Sequence, residues 1–156
     1  MISPKARRHA RECAVQFLFG LDFTQYDWER VLPGFWEVNP VRANVAQYAN
    51  ELVRGVMTCR EELDGLIAKA LHNWSPDRVG RVEQNILRVA LYEMRHRDDV
   101  PAPVAINEAI EVVKRFGAPD SARFVNGVLD RLKDLPAAAD SEAADPREDA
   151  AGSLHP

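Results

Sequence analysis

The residues that most clearly offer chemistry are the basic side chains at the start of the chain. Residues 1–11, here called the basic arm, contain no acidic residue and carry Lys5, Arg7, Arg8, His9 and Arg11. Basic side chains attract phosphate groups through Coulomb forces and the release of counterions, but this attraction does not discriminate between sequences. The basic arm therefore predicts an anionic partner, with an ordinary solvated surface as the alternative.

A second basic group, interleaved with aromatic residues, lies where one predicted helix ends and the last one begins. Its members are Lys114, Arg115, Phe116, Arg123 and Phe124. Aromatic rings beside arginines can stack on unpaired bases, which is the usual way in which proteins bind single-stranded RNA. This group therefore favours single-stranded RNA as the anionic partner.

Candidates for catalysis or metal binding are few. Glu93 and His96 stand one helical turn apart, but a di-iron bundle needs two such E-x-x-H pairs and the sequence has one. We expect His96, close to a helix end, to be solvated or to interact with terminal carbonyl groups. Cys13 and Cys59 lie in apolar helical patterns without a CxxC pair, which predicts core thiols and neither a disulfide nor a zinc site. Because the sequence also lacks a glycine-rich phosphate loop, we expect a non-enzymatic protein without metal or cofactor.

The net charge of −4 lies entirely in the C-terminal segment. Residues 136–156 contain five acidic side chains and one arginine, so the 19 acids and 19 bases of residues 1–135 balance. The segment is composed mainly of Ala, Asp, Glu, Pro and Gly, which predicts an acidic disordered tail after a single domain over residues 1–135. No apolar run approaches the roughly 18 residues that span a bilayer. Since the basic arm also occupies the place of a signal peptide's apolar core, we expect a cytoplasmic protein.

Helices must position these side chains, because the apolar residues follow helical spacing between prolines and show no sustained alternation. The sequence predicts an all-α fold of about seven helices. We expect a first helix capped by Ser3, with Pro4 in its first turn, and then a short helix over 27–36 that Pro33-Gly34 interrupts. A long helix follows Pro40 and either continues or restarts at a capping box over 58–61, and a buried central helix over 76–96 begins at Ser75-Pro76. A further helix runs from Pro103 to Phe116, where Gly117 ends it in the left-handed conformation, and a last helix follows Pro119-Asp120.

The first helix has a second non-polar face. At about 100° per residue, Arg8, Val15 and Phe19 fall opposite its core stripe with Arg11 beside them, and Phe23 extends this face by one turn. Exposed aromatics beside arginines predict a protein partner. The alternative is that the short helix near Trp28, or the tail, covers them.

Four sequence blocks at matching spacing resemble the NusB family of transcription antitermination factors over about residues 3–133. They are RECAVQ at 11–16, ILRVALYE at 86–93, VAINEAIE at 104–111 and FVNGVLD at 124–130. The resemblance implies two packed helical subdomains that bind the single-stranded boxA element of ribosomal RNA leader transcripts. It also implies a partner, the ribosomal protein NusE, and assembly with RNA polymerase and other Nus factors.

The resemblance also assigns roles to individual residues. It implies RNA contacts at Lys5, Arg7, Arg8, Arg11, Asp120, Arg123, Phe124 and Asn126, and NusE contacts at Phe19, Phe23 and Glu83. The sequence departs from the family at His9, where an arginine run usually continues, and at Phe19, where a tyrosine is common. We therefore expect weaker RNA binding at neutral pH and the loss of one hydrogen bond to the partner.

Two other functions remain open. A similar helical domain begins RNA cytosine methyltransferases, so an accessory module of an RNA-modifying enzyme is one alternative, although residues 1–156 contain no glycine-rich cofactor loop or reactive cysteine motif. The other alternative is a helical dimerisation module that does not bind RNA, in which Phe19 and Phe23 form the contact. The free protein could form a homodimer both as an antitermination factor and as a dimerisation module.

Overall fold

The computed structural model of the chain describes residues 2–71 and 79–135. Within these residues it has seven helices and no strand, which confirms the all-α prediction. The helices are α1 (Pro4–Leu21), α2 (Trp28–Val38), α3 (Ala43–Thr58), α4 (Arg60–Ala70), α5 (Arg81–His96), α6 (Ala102–Phe116) and α7 (Ser121–Leu132). None of these helices is long and apolar enough to cross a membrane. The predicted acidic tail and the predicted helix start at Ser75-Pro76 lie outside the described residues. The prediction of a helix over 76–96 is nevertheless wrong at its start, because Val79 and Gly80 are not helical and the helix begins at Arg81 with Gly80 as its N-cap.

Helix α5 is the centre of the fold, as its sequence predicts. It packs against α1, α3, α4, α6 and α7, and its residues 85–91 are all buried. A helix that is apolar on most faces needs neighbours on all sides. Because α1 also packs along α3 and α6 along α7, α5 joins these two helix pairs around one continuous core.

Helix α1 begins as predicted. The side-chain oxygen of Ser3 accepts a hydrogen bond from the backbone N–H of Ala6 at 3.1 Å, which satisfies one of the free donors of the first turn. Pro4 occupies the first turn, where its missing N–H removes no helical hydrogen bond. The basic arm is therefore helical from Pro4 onward.

Helix α2 differs from the prediction, because it continues through Pro33 and Gly34 to Val38 without a turn. A proline in a helix interior removes one backbone hydrogen bond. Pro33 is exposed, however, and the opposite face of the helix is anchored in the core. There the Phe35 ring packs edge to face on Phe17 with centroids 5.5 Å apart. Tertiary packing thus outweighs the local cost of the proline.

The chain breaks between α3 and α4, but not at the predicted capping box. Thr58 is the last residue of α3 and Cys59 takes the N-cap position of α4. Three residues after this N-cap comes Glu62, so the pair that faces each other is Cys59 with Glu62. The predicted box is therefore one residue out of register, and a thiol stands where it placed a hydroxyl.

Helix α6 ends at Gly117 without the predicted left-handed residue. The backbone of Gly117 is extended, with φ −91° and ψ 172°. Packing is close there instead, since a Cβ would lie 3.0 Å from the carbonyl oxygen of Val113 and 3.2 Å from Oε2 of Glu83, and these neighbours would have to shift by a few tenths of an ångström. The turn into α7 therefore presses against α5 through Glu83.

Two helical glycines provide opposite tests of this packing. A Cβ at Gly55 of α3 would overlap the ring of Tyr92 on α5, whereas one at Gly127 of α7 meets no described atom within 4 Å. We expect Gly55→Ala to lower the free energy of unfolding by about 1–3 kcal/mol through overpacking. Gly127→Ala should raise it by about 0.5–1 kcal/mol, because alanine loses less backbone entropy on folding. Urea unfolding followed by circular dichroism measures both changes, and effects of the same sign would contradict the packing.

Candidate nucleic-acid interface

The basic arm lies along α6 and the loop that precedes it. Ion pairs connect α1 to α6 and to this loop, and their order along the chain is the same on both sides, so α1 and α6 run in the same direction. In chain order they are Arg7 with Asp99, Arg8 and Arg11 with Glu108, and Glu12 with Arg115. The arginines of the arm are therefore already paired with carboxylates in the absence of any partner.

Arg8 holds Glu108 with two parallel hydrogen bonds. Its Nε donates to Oε1 at 3.0 Å and its Nη2 to Oε2 at 2.8 Å, a geometry in which the guanidinium matches the carboxylate. The hydrogen bonds from Arg8 help to hold the pKa of Glu108 below its usual value. Because Arg8 remains 45% exposed, a phosphate can reach it in competition with Glu108. Lys5, one turn earlier, is exposed as well.

Arg7 is less accessible and has two kinds of neighbour. Its Nη2 donates to Oδ2 of Asp99 at 2.7 Å, and its guanidinium carbon lies 4.8 Å from the centroid of the Tyr48 ring. Its Nε is buried and has no hydrogen-bond partner among the described residues. Hydrogen bonds from Arg97 and Arg7 lower the pKa of Asp99 to about 2. Asp99 is therefore a permanent competitor for Arg7 at neutral pH.

Arg11 is placed differently from the other predicted RNA contacts, because its side chain is only 4% exposed. Its Nε donates to both carboxylate oxygens of Glu93, at 2.8 and 3.1 Å, and its Nη1 donates to Glu108 at 3.2 Å. Tyr48 donates its hydroxyl to Glu93 from the other side. Val15, one turn later, is also buried. The expectation that Arg11 and Val15 lie on an outward face is wrong, because α1 packs there against α5 and α6.

The second predicted RNA region lies on and just before α7. Asp120, Arg123 and Asn126 are exposed. Phe124 is half-buried and packs against the edge of the core, so at most part of its ring can meet a base.

Arg115 connects this region to the basic arm. Its side chain is 63% exposed, and its Nε lies 3.8 Å from a carboxylate oxygen of Glu12 on α1. Its guanidinium carbon lies 5.5 Å from the centroid of the Phe116 ring, at the end of α6. With Lys114, also exposed, it extends the basic surface along α6 towards α7.

The predicted partner residues Phe19 and Phe23 form an aromatic pair. Their rings meet edge to face with centroids 5.0 Å apart, and Phe23 is 63% exposed. The guanidinium carbon of Arg81, at the start of α5, lies 5.0 Å from the Phe23 centroid. Glu83 lies about 200° further around the α5 axis, and its Oε2 accepts a hydrogen bond from Ser121 of α7 at 2.6 Å. The structure therefore groups Arg81 with the aromatic pair and turns Glu83 towards α7.

Glu93 and His96, the E-x-x-H pair, point to different neighbours. Glu93 is fully buried beside Arg11, whereas Nε2 of His96 lies 3.0 Å from Oε1 of Glu62. The expectation that His96 is solvated or meets terminal carbonyls is therefore corrected. Burial acts to raise the pKa of Glu62, but hydrogen bonds from Arg95 and His96 outweigh it and lower the pKa. Cys59, expected to be a core thiol, is only half-buried beside these residues.

Three residues of these surfaces are absent from the sequence-based predictions: Asp99, Glu108 and Arg81. Glu108 lies in the block at 104–111, but its role depends on α6 running beside α1. No local pattern indicates this arrangement. Arg81 stands two residues before the predicted Glu83, and helical geometry alone assigns it to the opposite face of α5.

The whole domain is similar to proteins of one family. Residues 8–134 match the model of the NusB family. The chain is 41% identical over 131 residues to the transcription antitermination protein NusB of Myxococcus xanthus (strain DK1622), which covers 81% of this chain and 94% of that protein. It is 48% identical over 130 residues to the protein of the same name from Enterobacter sp. (strain 638), with 83% and 93% covered.

Solved structures agree with the sequence comparison. A structure of T. maritima NusB superposes with a TM-score of 0.77 at 34% identity and covers 90% of this chain and 97% of that one. A crystal structure of the antitermination factors NusB and NusE in complex with dsRNA gives a TM-score of 0.75 at 26% identity, with 84% and 98% covered. With a family model matched along most of its length and curated relatives more than 40% identical, this chain belongs to the NusB family.

Proposed function

We propose that this protein is a non-enzymatic transcription antitermination factor that binds the single-stranded boxA element of nascent ribosomal RNA together with the ribosomal protein NusE. It tethers these partners to RNA polymerase, with other Nus factors, in the cytoplasm and so supports processive elongation. Family membership, the names of its relatives, and a structural neighbour that contains NusB, NusE and RNA support this role. Because tethering requires binding surfaces only, no catalytic group is needed.

The observation that carries the proposal is the basic surface from α1 to α7. Lys5 and Arg8 on α1, Arg115 at the end of α6 and Arg123 on α7 are all exposed, and the ion pair between Glu12 and Arg115 connects α1 to α6. Guanidinium groups neutralise phosphates and lie flat against bases. A surface of this kind holds an RNA backbone while the bases remain open to reading.

The aromatic pair on α1 supports a separate protein contact. Phe19 and Phe23 present an apolar surface beside Arg81, and aromatic and arginine side chains are enriched at protein interfaces. A partner bound there would enlarge the surface that contacts RNA. Simultaneous contact by both proteins then raises the apparent affinity for RNA without any new contact in this chain.

Fluorescence anisotropy with labelled RNA tests the proposal. We expect a boxA-like single strand to bind more tightly than a scrambled strand or a duplex of the same length, and more tightly again when NusE is present. Arg7→Ala/Arg8→Ala should weaken binding about tenfold, and should reduce the salt slope by about 1.4 because each lost phosphate contact contributes about 0.7. Arg30→Ala/Lys69→Ala removes the same charge from exposed sites on α2 and α4 and is the matched control.

Equal binding of all three RNAs, with or without NusE, would contradict the proposal. An equal change of the salt slope in Arg7→Ala/Arg8→Ala and in Arg30→Ala/Lys69→Ala would also contradict it. The position of the lost charges would then have no effect on RNA binding. A dimer in sedimentation that Phe23→Ser dissociates and RNA does not displace would support the dimerisation role instead.

A further inference from the structure

Three donor side chains of different types meet where the junction of α3 and α4 faces the end of α5. They are the thiol of Cys59, the carboxylate of Glu62 and the imidazole of His96, and their ligand atoms all lie within 4.8 Å of one another. The three residues are partly buried, and the proposed RNA and partner surfaces do not use them. We propose that they form a binding site for a thiolate-preferring divalent cation, with Zn²⁺ as the expected ion.

The start of α4 brings two of the ligands together. Cys59 is the N-cap of this helix and Glu62 is its third residue. Side chains at these two positions face each other, which is the geometry of a capping box. The side chain of Cys59 makes no capping hydrogen bond.

The third ligand is already oriented towards them. Nε2 of His96 lies 3.0 Å from Oε1 of Glu62. The imidazole stacks on the Tyr92 ring, with centroids 5.4 Å apart and planes at 20°. Tyr92 in turn presses so closely on Gly55 that only a hydrogen fits there. The imidazole is therefore held in position by packing, as metal-binding histidines generally are by their neighbours.

The distances suit a tetrahedral ion. With Zn–N, Zn–O and Zn–S bonds of about 2.0–2.3 Å, neighbouring ligand atoms lie about 3.4–3.6 Å apart. The contact between His96 and Glu62 has to open by a few tenths of an ångström, and a separation at the 4.8 Å limit has to close by about 1 Å. Nε of Arg95 donates to Oε2 of Glu62 at 2.8 Å, which fixes the carboxylate and leaves Oε1 for the ion. Three protein ligands leave the fourth position to water.

The types of the donor atoms select the ion. Mg²⁺ and Ca²⁺ prefer oxygen ligands only, whereas thiolate with imidazole favours Zn²⁺ and its analogue Co²⁺. Binding releases the thiol proton to solvent, since thiolate is the ligand. The bound ion would tie the α3–α4 junction to the last turn of α5.

Titration of the untagged, full-length, reduced protein with Co²⁺ tests the site. We expect a thiolate-to-cobalt charge-transfer band in the near ultraviolet that saturates at one ion per chain and that Zn²⁺ abolishes. The band reports on Cys59, because the chain has one other cysteine, Cys13, which is buried and whose pKa desolvation raises to about 11. Zn²⁺ should also slow alkylation of Cys59 and raise Tm by about 5 °C or more.

Substitutions separate this site from adventitious binding. Cys59→Ser should abolish the band, and His96→Gln should weaken Co²⁺ binding by more than about tenfold. His9→Gln removes an exposed histidine from the basic arm and should leave binding unchanged. Absence of the band in the wild-type protein, or a band that His96→Gln leaves unchanged, overturns the proposal. Zn²⁺ protection of Cys59 in the wild type tests the site even if a variant fails to fold.

Discussion

Arg11→Met is expected to lower the free energy of unfolding by about 3–5 kcal/mol, the usual consequence of leaving one partner of a buried ion pair without its counter-charge. Arg11 is 4% exposed and Glu93 is fully buried. Once Arg11 is replaced, Glu93 keeps the hydroxyl donor of Tyr48 at a position without solvent exposure. Chemical unfolding followed by circular dichroism measures the loss.

Two further variants show whether the buried charge is the cause. Arg11→Met/Glu93→Leu removes both charges and should recover most of the stability, because an apolar pair of similar volume has no charge to desolvate. Arg8→Met removes an arginine of the same helix whose side chain is 45% exposed and should change stability by less than about 1 kcal/mol. A double variant no more stable than Arg11→Met would contradict the account.

The same variant distinguishes the structural role of Arg11 from the role in RNA binding that the family resemblance implies. Measured where Arg11→Met is still folded, the salt dependence of RNA binding should be unchanged, because a guanidinium inside the helix bundle contacts no phosphate. A reduction of the salt slope by about 0.7 would show that Arg11 does contact a phosphate.

Helix α1 and its Arg11 show how far the sequence could predict this fold and its site. Helical spacing predicts α1 and its Ser3 cap, because both depend on residues within one turn. The spacing also places Arg11 beside the outward side of α1, opposite its core stripe. That placement fails because a second stripe of α1 is buried by α5 and α6, and local periodicity carries no information about which helices pack together.

The junction at Cys59 shows a second limit. The sequence predicts a possible break there, but the choice between Thr58 and Cys59 as the N-cap is a shift of one residue, and element boundaries are less certain than element existence. That shift decides whether the facing pair is Thr58 with Glu61 or Cys59 with Glu62. His96 completes the cluster from a helix more than 30 residues away, so no spacing rule for metal ligands could have found it.

Asp99→Asn/Glu108→Gln is expected to strengthen RNA binding by about two- to thirtyfold. RNA phosphates must displace these carboxylates from Arg7 and Arg8. Ion pairs at a protein surface are worth about 0.2–1 kcal/mol each, and 1.4 kcal/mol corresponds to a tenfold change in affinity. Fluorescence anisotropy with the boxA-like strand measures the gain.

The gain must be separated from the general effect of a less acidic protein. Glu37→Gln/Glu61→Gln removes the same charge from exposed positions on α2 and α4 and should change RNA affinity less, because salt screens charges beyond about 10 Å. If both double variants bind RNA equally well, the carboxylates act only through net charge. If neither strengthens binding, the arginines of the arm do not exchange Asp99 and Glu108 for phosphates, and the RNA must bind elsewhere on the surface. A gain confined to Asp99→Asn/Glu108→Gln would mean that the protein holds its RNA-binding arginines oriented against α6, at the expense of part of their affinity for RNA.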